Sequence, residues 1–217
     1  METDHTALVL HGYWRSGTSY RTRIALNAKG LTYDQMGHDL RAGAQRMSDY
    51  LTLNPQGLVP ALEADGHVLT QSSAIIEWLE ERYPDPPLLP AGVMDRAVVR
   101  AMAMLVACDV HPLNNMRVLN RLRDELGADP EAVRAWIAHW IAQGFGALEL
   151  LVARHGGRYC FGDRLTLADC HIVPQYYSAE RFAVDLSPYP CLTDIILRVR
   201  EDPAVAAAHP DRQPDAG

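Results

Sequence analysis

The chain has 217 residues, 48% of them hydrophobic, enough to bury one large core or two small ones, and carries a formal net charge of −7. Its basic residues are scattered among acidic ones, so neither a nucleic-acid footprint nor a polybasic membrane patch is expected, and an anionic ligand must be held by a local cluster. The polar, acidic start Met1-Glu2-Thr3-Asp4-His5-Thr6 lacks the basic flank of a signal peptide, and no run of about 18 uninterrupted apolar residues predicts a membrane span.

Residues 8–13 form a short apolar run that fits a buried strand. From Tyr20 the positions Ile24, Ala28 and Leu31 follow helical spacing, and Gly30 stands where a helix C-terminus is expected. Thr32–Met36 predicts a second strand, and residues 41–53 an irregular or helical crossover ending at Asn54-Pro55-Gln56-Gly57. Leu58–Leu62 and His67–Thr70, joined by Asp65-Gly66, predict a hairpin. Ser72 or Ser73 can then cap a helix whose inward face is Ile75, Ile76, Leu79 and Tyr83.

Four prolines between Tyr83 and Pro90 predict a stiff linker and a domain boundary. Beyond it the strand signal disappears. Val99, Met102, Ala103, Val106 and Val110 mark one helix face, which Pro112 should interrupt before Val118, Leu119 and Leu122. Val133, Ile137, Trp140, Ile141, Leu148 and Leu151 mark a second helix, Thr166-Leu167-Ala168-Asp169 opens a third with a capping-box pattern, and a fourth covers residues 189–200. The tail after Pro203 is expected to fray. The expected organisation is an α/β domain over residues 1–83, a linker over 84–90 and an all-α domain over 91–217. The four cysteines, Cys108, Cys160, Cys170 and Cys191, show neither CxxC nor zinc-ligand spacing, so they read as small buried hydrophobes of a reducing compartment, by default the cytoplasm.

Three places can carry chemistry. After the first strand, Ser16, Thr18 and Ser19 offer hydroxyls where the following helix presents unpaired N–H groups and its positive dipole end, a setting that favours an anion. A helix cap accounts for one such hydroxyl but not for Arg15 beside it. Val59-Pro60 stands in a tight bend after Gly57, where a cis bond would leave the backbone of Val59 free to pair with a peptide. Gln71-Ser72-Ser73 again sets hydroxyls at a helix start, suited to a carboxylate.

The stretches WRSGTSYRTRIAL, NPQGLVPAL and QSSAIIEWLEERYP, followed by CDVHPLNNMRVLN, FGDRLTLADCHIVPQ and SAERFAVDLSPYP, resemble the glutathione transferases, and within them the zeta class with its maleylacetoacetate and maleylpyruvate isomerases. The resemblance spans residues 8–205. It implies a thioredoxin-like N-terminal domain and a helical C-terminal one, with glutathione as cofactor, a small dicarboxylate as substrate, and a homodimer. It further implies that Val59 before a cis Pro60 pairs with the tripeptide backbone, that Gln71 and Ser72 hold its γ-glutamyl carboxylate, and that Ser16 lies near the thiol. Gln45, His111 and Asn115 are implied as further glutathione contacts, with Asn114 beside them. Arg15, Arg117 and Arg181 match the substrate-carboxylate positions. Many zeta enzymes read Ser-Ser-Cys where this chain reads Ser16-Gly17-Thr18, so a covalent role for that cysteine is excluded here and Thr18 joins Ser16 and Arg15 as a catalytic candidate.

A thioredoxin-like domain without its own cysteine at the helix start needs a bound thiol as nucleophile, and Ser16 together with the helix dipole can lower that thiol's pKa. The expected reaction is cis–trans isomerisation of a maleyl keto acid, in breakdown of aromatic compounds or tyrosine, by thiolate addition, rotation and elimination. The alternative is a general transferase conjugating or dehalogenating small electrophiles such as 2-halo acids. A binding module without activity has no need of Ser16, Pro60, Gln71 and Ser72 together. Arg21 and Arg23 read as solvated or structural charges, Asp169 as a helix cap, and His139, Cys170 and the tryptophans as carrying no chemistry.

Overall fold

The computed structural model describes residues 7–216, so the acidic start Met1–Thr6 lies outside the described residues. The chain divides into two compact units, Met1–Pro87 together with Pro203–Gly217, and Leu88–Asp202.

The first unit is built on a four-stranded sheet of order β2-β1-β3-β4, from β1 (Val9–Gly12), β2 (Asp34–Gly37), β3 (Ala61–Ala64) and β4 (His67–Thr70). β1 runs parallel to β2 and antiparallel to β3, and β3 and β4 form the hairpin, with Ala64 opposite His67. Asp65 and Gly66 both have positive φ, +50° and +74°, the geometry of a type I′ turn, which is why an Asp-Gly pair closes it. The first hairpin strand, β3, starts three residues later than the apolar run predicts, because Val59-Pro60 is a cis bend and not ladder. A second cis bond, Asp85–Pro86, lies in the linker.

Helix α1 (Gly17–Ala28) follows β1 and begins earlier than the periodicity suggests, because Ser16 caps it and not Thr18 or Ser19. It ends in a Schellman motif: Gly30, at φ +66°, bonds to Asn27 O and Leu31 N to Leu26 O. Every residue from Ser19 to Leu26 is buried, which hides the usual one-faced pattern. Two helices account for this, α3 (Ser72–Arg82) and α9 (Pro203–Ala208), both packed on α1. Between β2 and β3 lies the crossover, a 3₁₀ turn (Ala44–Arg46) and the short helix α2 (Ser48–Leu53), whose Tyr50 packs with Tyr13 and Val59.

α9 corrects the expectation of a frayed tail inside the helical domain. Val205 and Ala208 are buried, and residues from Pro203 onward belong to the first unit. The linker also ends sooner than expected: Leu88 and Leu89 are buried and belong to the second unit, where Leu88 O accepts Leu167 N–H.

The second unit is all helical. α4 (Val93–Met104) runs into a wider π-type stretch (Leu105–Val110) and stops at a 3₁₀ turn (His111–Asn114), the interruption expected from Pro112. After α5 (Met116–Asn120) and a second π-type stretch, α6 (Pro130–His155) provides the long core helix. Gly144 in its middle admits Val110 so closely that an added Cβ would lie 2.2 Å from Cγ2, which fixes the approach of the stretch leading to His111. By length and composition α6 could cross a bilayer, but Val133, Ile137, Ile141, Phe145, Leu148 and Val152 are buried within the unit. α7 (Leu167–Arg181) opens with the expected capping box: buried Asp169 accepts from Thr166 N, Thr166 Oγ1 and Cys160 N. Burial raises the Asp169 pKa against those bonds. α8 (Pro190–Val199) completes the unit. The cysteine reading needs one correction: Cys160 and Cys170 are buried, but Cys108 and Cys191 are exposed.

Candidate active site

The first unit brings Ser16, Thr18, Val59 and Pro60 into one corner. Ser16 is half-buried in extended backbone, φ −69° and ψ 125°, and its Oγ accepts the Ser19 N–H at 3.3 Å as the cap of α1. Thr18 Oγ1 lies 2.9 Å from Ser16 Oγ and donates its hydrogen to Val59 O at 2.8 Å. Because the Thr18 proton is committed to a carbonyl, the hydrogen between the two hydroxyls comes from Ser16. Ser16 therefore holds the one hydroxyl proton in this corner that can turn elsewhere, beside the positive end of a twelve-residue helix.

The loop carrying Val59 is held from behind. Leu58 O accepts from the Tyr50 hydroxyl and from Asn54 Nδ2, each at 2.7 Å. Burial pushes the Tyr50 pKa up to about 12, so it remains a donor across the neutral range. The Val59–Pro60 bond is cis, as the resemblance implies.

At the far end of the hairpin, Gln71 caps α3 with φ +68° and ψ 110°, a strained conformation for a residue with a side chain. Neither Ser72 nor Ser73 is the cap. Ser72 opens the helix, 5% exposed, and its Oγ accepts from Arg21 Nη1 at 3.4 Å. Gln71 donates to Gln56 Oε1 at 2.6 Å. A helix N-terminus, a hydroxyl and a buried guanidinium thus converge on one point, chemistry suited to a carboxylate. Gln45, in the 3₁₀ turn, keeps a buried Oε1 without a partner, an acceptor suited to a ligand N–H.

The arginines separate. Arg15 is half-buried and stacks on Trp14, 5.0 Å from the ring centroid. Arg21 and Arg23 are 2% and 1% exposed, so the option of solvated charges is excluded and the structural one stands. Arg23 donates to Ala208 O and Trp14 O, at 3.0 and 2.8 Å. Arg21, beneath Ser72, is the residue the sequence reading did not assign to this corner; only the packing of α1 against α3 reveals it.

The remaining candidates belong to the second unit. His111 is half-buried at the start of the 3₁₀ turn. Asn115 caps α5, accepting Arg117 N–H at 3.1 Å, so its side chain already has a structural task, and the neighbouring Asn114 donates to Val110 O. Arg117 is exposed on α5, and Arg181, also exposed, lies over the rings of Tyr177 and Phe182 at the end of α7.

A β-α-β-α-β-β-α sheet unit whose leading helix starts at a serine in place of a cysteine, joined to an all-helical unit, defines a thioredoxin-like protein that works with a borrowed thiol. The model of the glutathione S-transferase N-terminal domain matches residues 15–82, and that of the C-terminal domain matches residues 115–208. A maleylacetoacetate isomerase of Pseudomonas aeruginosa is 51% identical, covering 95% of this chain and 97% of its own. The holo structure of a bacterial maleylpyruvate isomerase, a zeta-class glutathione S-transferase, superposes with a TM-score of 0.94 at 50% identity, over 96% of this chain and all of the other. A maleylacetoacetate isomerase of Methylobacterium extorquens with bound malonate and glutathione gives 0.92 at 40% identity, over 96% and 99% of the two chains. The chain belongs to the glutathione S-transferase family.

Proposed function

We propose that this protein is a zeta-class enzyme that converts a maleyl keto acid, maleylpyruvate or maleylacetoacetate, to its fumaryl isomer, with glutathione as a cofactor that is bound and returned. The observation that carries the proposal is the Ser16–Thr18–Val59 corner, which offers a redirectable hydroxyl proton at a helix N-terminus with no cysteine beside it. Glutathione, when bound, supplies the thiol whose reversible addition to the cis double bond lets that bond turn.

The chain's own residues do the rest. Ser16 O–H, once turned from Thr18 Oγ1, and the start of α1 favour a negative sulfur, while Thr18 keeps its own proton on Val59 O. The Val59 backbone beside the cis Pro60 pairs with the tripeptide, while Gln71 and Ser72, backed by Arg21, take the γ-glutamyl carboxylate. The unpartnered Gln45 oxygen accepts a ligand N–H, and His111 and Asn115 are further contacts. Arg15, Arg117 and Arg181 bind the substrate's carboxylates, for which a planar guanidinium is suited. The malonate in the M. extorquens relative supports a dicarboxylate as the second ligand. The reading extends to a cytoplasmic homodimer acting in the breakdown of aromatic compounds; four free cysteines suit a reducing compartment.

Following each maleyl substrate to its fumaryl isomer, with and without glutathione, tests the proposal. Conversion is expected only with glutathione, which should support many turnovers without being consumed. Turnover of a 2-halo acid while neither maleyl substrate isomerises would replace this reading with the general transferase. Arg117→Ala is expected to raise the substrate KM about ten-fold or more, the scale of a lost charge-assisted bond, while leaving the glutathione KM nearly unchanged. Equal weakening of both would remove Arg117 from the carboxylate-binding set.

A further inference from the structure

The end of the chain reaches back to the residues that precede Ser16. Trp14 N–H donates to Asp215 Oδ2 at 2.9 Å, and Trp14 O accepts from Arg23 Nη2 at 2.8 Å, so both backbone groups of the residue before Arg15 are held by side chains. Arg23 is buried, and its Nε binds Ala208 O on α9, so one guanidinium joins the catalytic corner to the returning tail.

The tail is pinned in its turn. Gln213 is 7% exposed; its Nε2 donates to Ala207 O and His209 O, at 3.0 and 2.7 Å, and its Oε1 accepts from Gln35 of β2 at 3.1 Å. Pro214 and Asp215 then pass over a cavity of about 170 Å³, lined also by Tyr13, Met36 and Gly37. Gly37 admits them: a Cβ there would lie 3.0 Å from Asp215 Cβ and 3.1 Å from Oδ2.

We propose that Gln213–Asp215 is a positioning latch for the reaction, holding Trp14 so that the Arg15 guanidinium stacked on its ring and the Ser16 hydroxyl two residues on keep their places. The proposal rests on the reading of Ser16 and Arg15 given above. A tail that stabilises only the sheet edge at β2 has no need to reach the Trp14 amide, whereas a latch does. Displacement of a reacting group by about an ångström can cost on the order of a hundred-fold in rate, so a loosened turn is expected to cost about ten-fold.

Three variants test this. Asp215→Ala and Gly37→Ala, the second leaving every latch group in place and only crowding it, should each lower kcat about ten-fold. Both should raise the pKa of the bound glutathione thiol, read from its ultraviolet thiolate absorbance, with little change in Tm or in glutathione affinity. Asp215→Asn, which keeps an acceptor oxygen but forfeits roughly half the strength of the bond, should recover most of the rate. Hydrogen exchange at the Trp14 amide needs no ligand: slow exchange in the wild type should become fast in Asp215→Ala. Fast exchange in the wild type overturns the latch, as does an activity loss that follows Tm while the thiol pKa stays put. Slow exchange in a protein that does not bind glutathione leaves the anchor intact and overturns the functional reading instead.

Discussion

Removing the Ser16 hydroxyl is expected to lower kcat for isomerisation about a hundred-fold, the scale of deleting one preorganised donor to a developing anion. The substitution must separate two duties, because Ser16 Oγ also accepts the Ser19 N–H as the cap of α1. Ser16→Ala loses both, and a lost cap costs about 1 kcal/mol of stability, whereas glycine at the same position costs only a few tenths. Ser16→Ala and Ser16→Gly should therefore be equally slow, with the Tm lower only for alanine. Both should raise the pKa of the bound thiol toward the ordinary cysteine value near 8.5, because the helix N-terminus alone stabilises the thiolate less than the helix and hydroxyl together. An unshifted thiol pKa in Ser16→Gly would move the activating role to another group, with Thr18 first in line. In that event the Thr18 hydroxyl, which donates to Val59 O, would have to leave that acceptor.

Ser16 and Pro60 were legible because punctuation betrays them. A hydroxyl triplet after an apolar run and a proline after Asn-Pro-Gln-Gly have few local explanations, and both turn out to sit in one corner, 16 and 60 bridged by Thr18 and Val59. Gln71 was legible in type but not in conformation, since only the turn of the hairpin into α3 forces its positive φ. The role of Arg21 was not legible at all. In the sequence it sits on a helix of low apparent amphipathicity, the pattern of a solvated helix. That pattern has another cause: α1 is covered on several sides, by α3 and by α9, and α9 comes from the opposite end of the chain. The same long-range packing explains why the tail looked frayed, for Pro- and Ala-rich residues carry no local sign that Arg23 and Gln35 await them. The helical unit was read more completely, because its capping box, its proline break and its long apolar stripe act within a few turns.

Lys29→Met is expected to be among the most destabilising single changes in the first unit, by about 3–5 kcal/mol, the cost of breaking a buried ion pair from one side. Lys29 is the chain's lone lysine, and its side chain has no exposed surface. Its Nζ bonds Glu80 Oε2 at 2.5 Å and Pro86 O at 2.8 Å. Methionine fills nearly the same space, so the loss comes from the Glu80 carboxylate and the Pro86 carbonyl losing their Lys29 donor, the charged partner foremost, and not from a cavity. The double variant Lys29→Met, Glu80→Leu removes both charges and should regain most of the stability, since an apolar pair of similar volume is often no worse than the ion pair it replaces. Equal destabilisation of the single and double variants in denaturant melts would show that packing, and not the orphaned charge, sets the cost. The pair also bears on chemistry through geometry: it ties the end of α1 to α3, and these two helices present Ser16 and Ser72 at their starts. A loosened α1–α3 contact should therefore weaken glutathione binding in Lys29→Met at temperatures where the variant is still folded, and the double variant should restore that binding together with the stability.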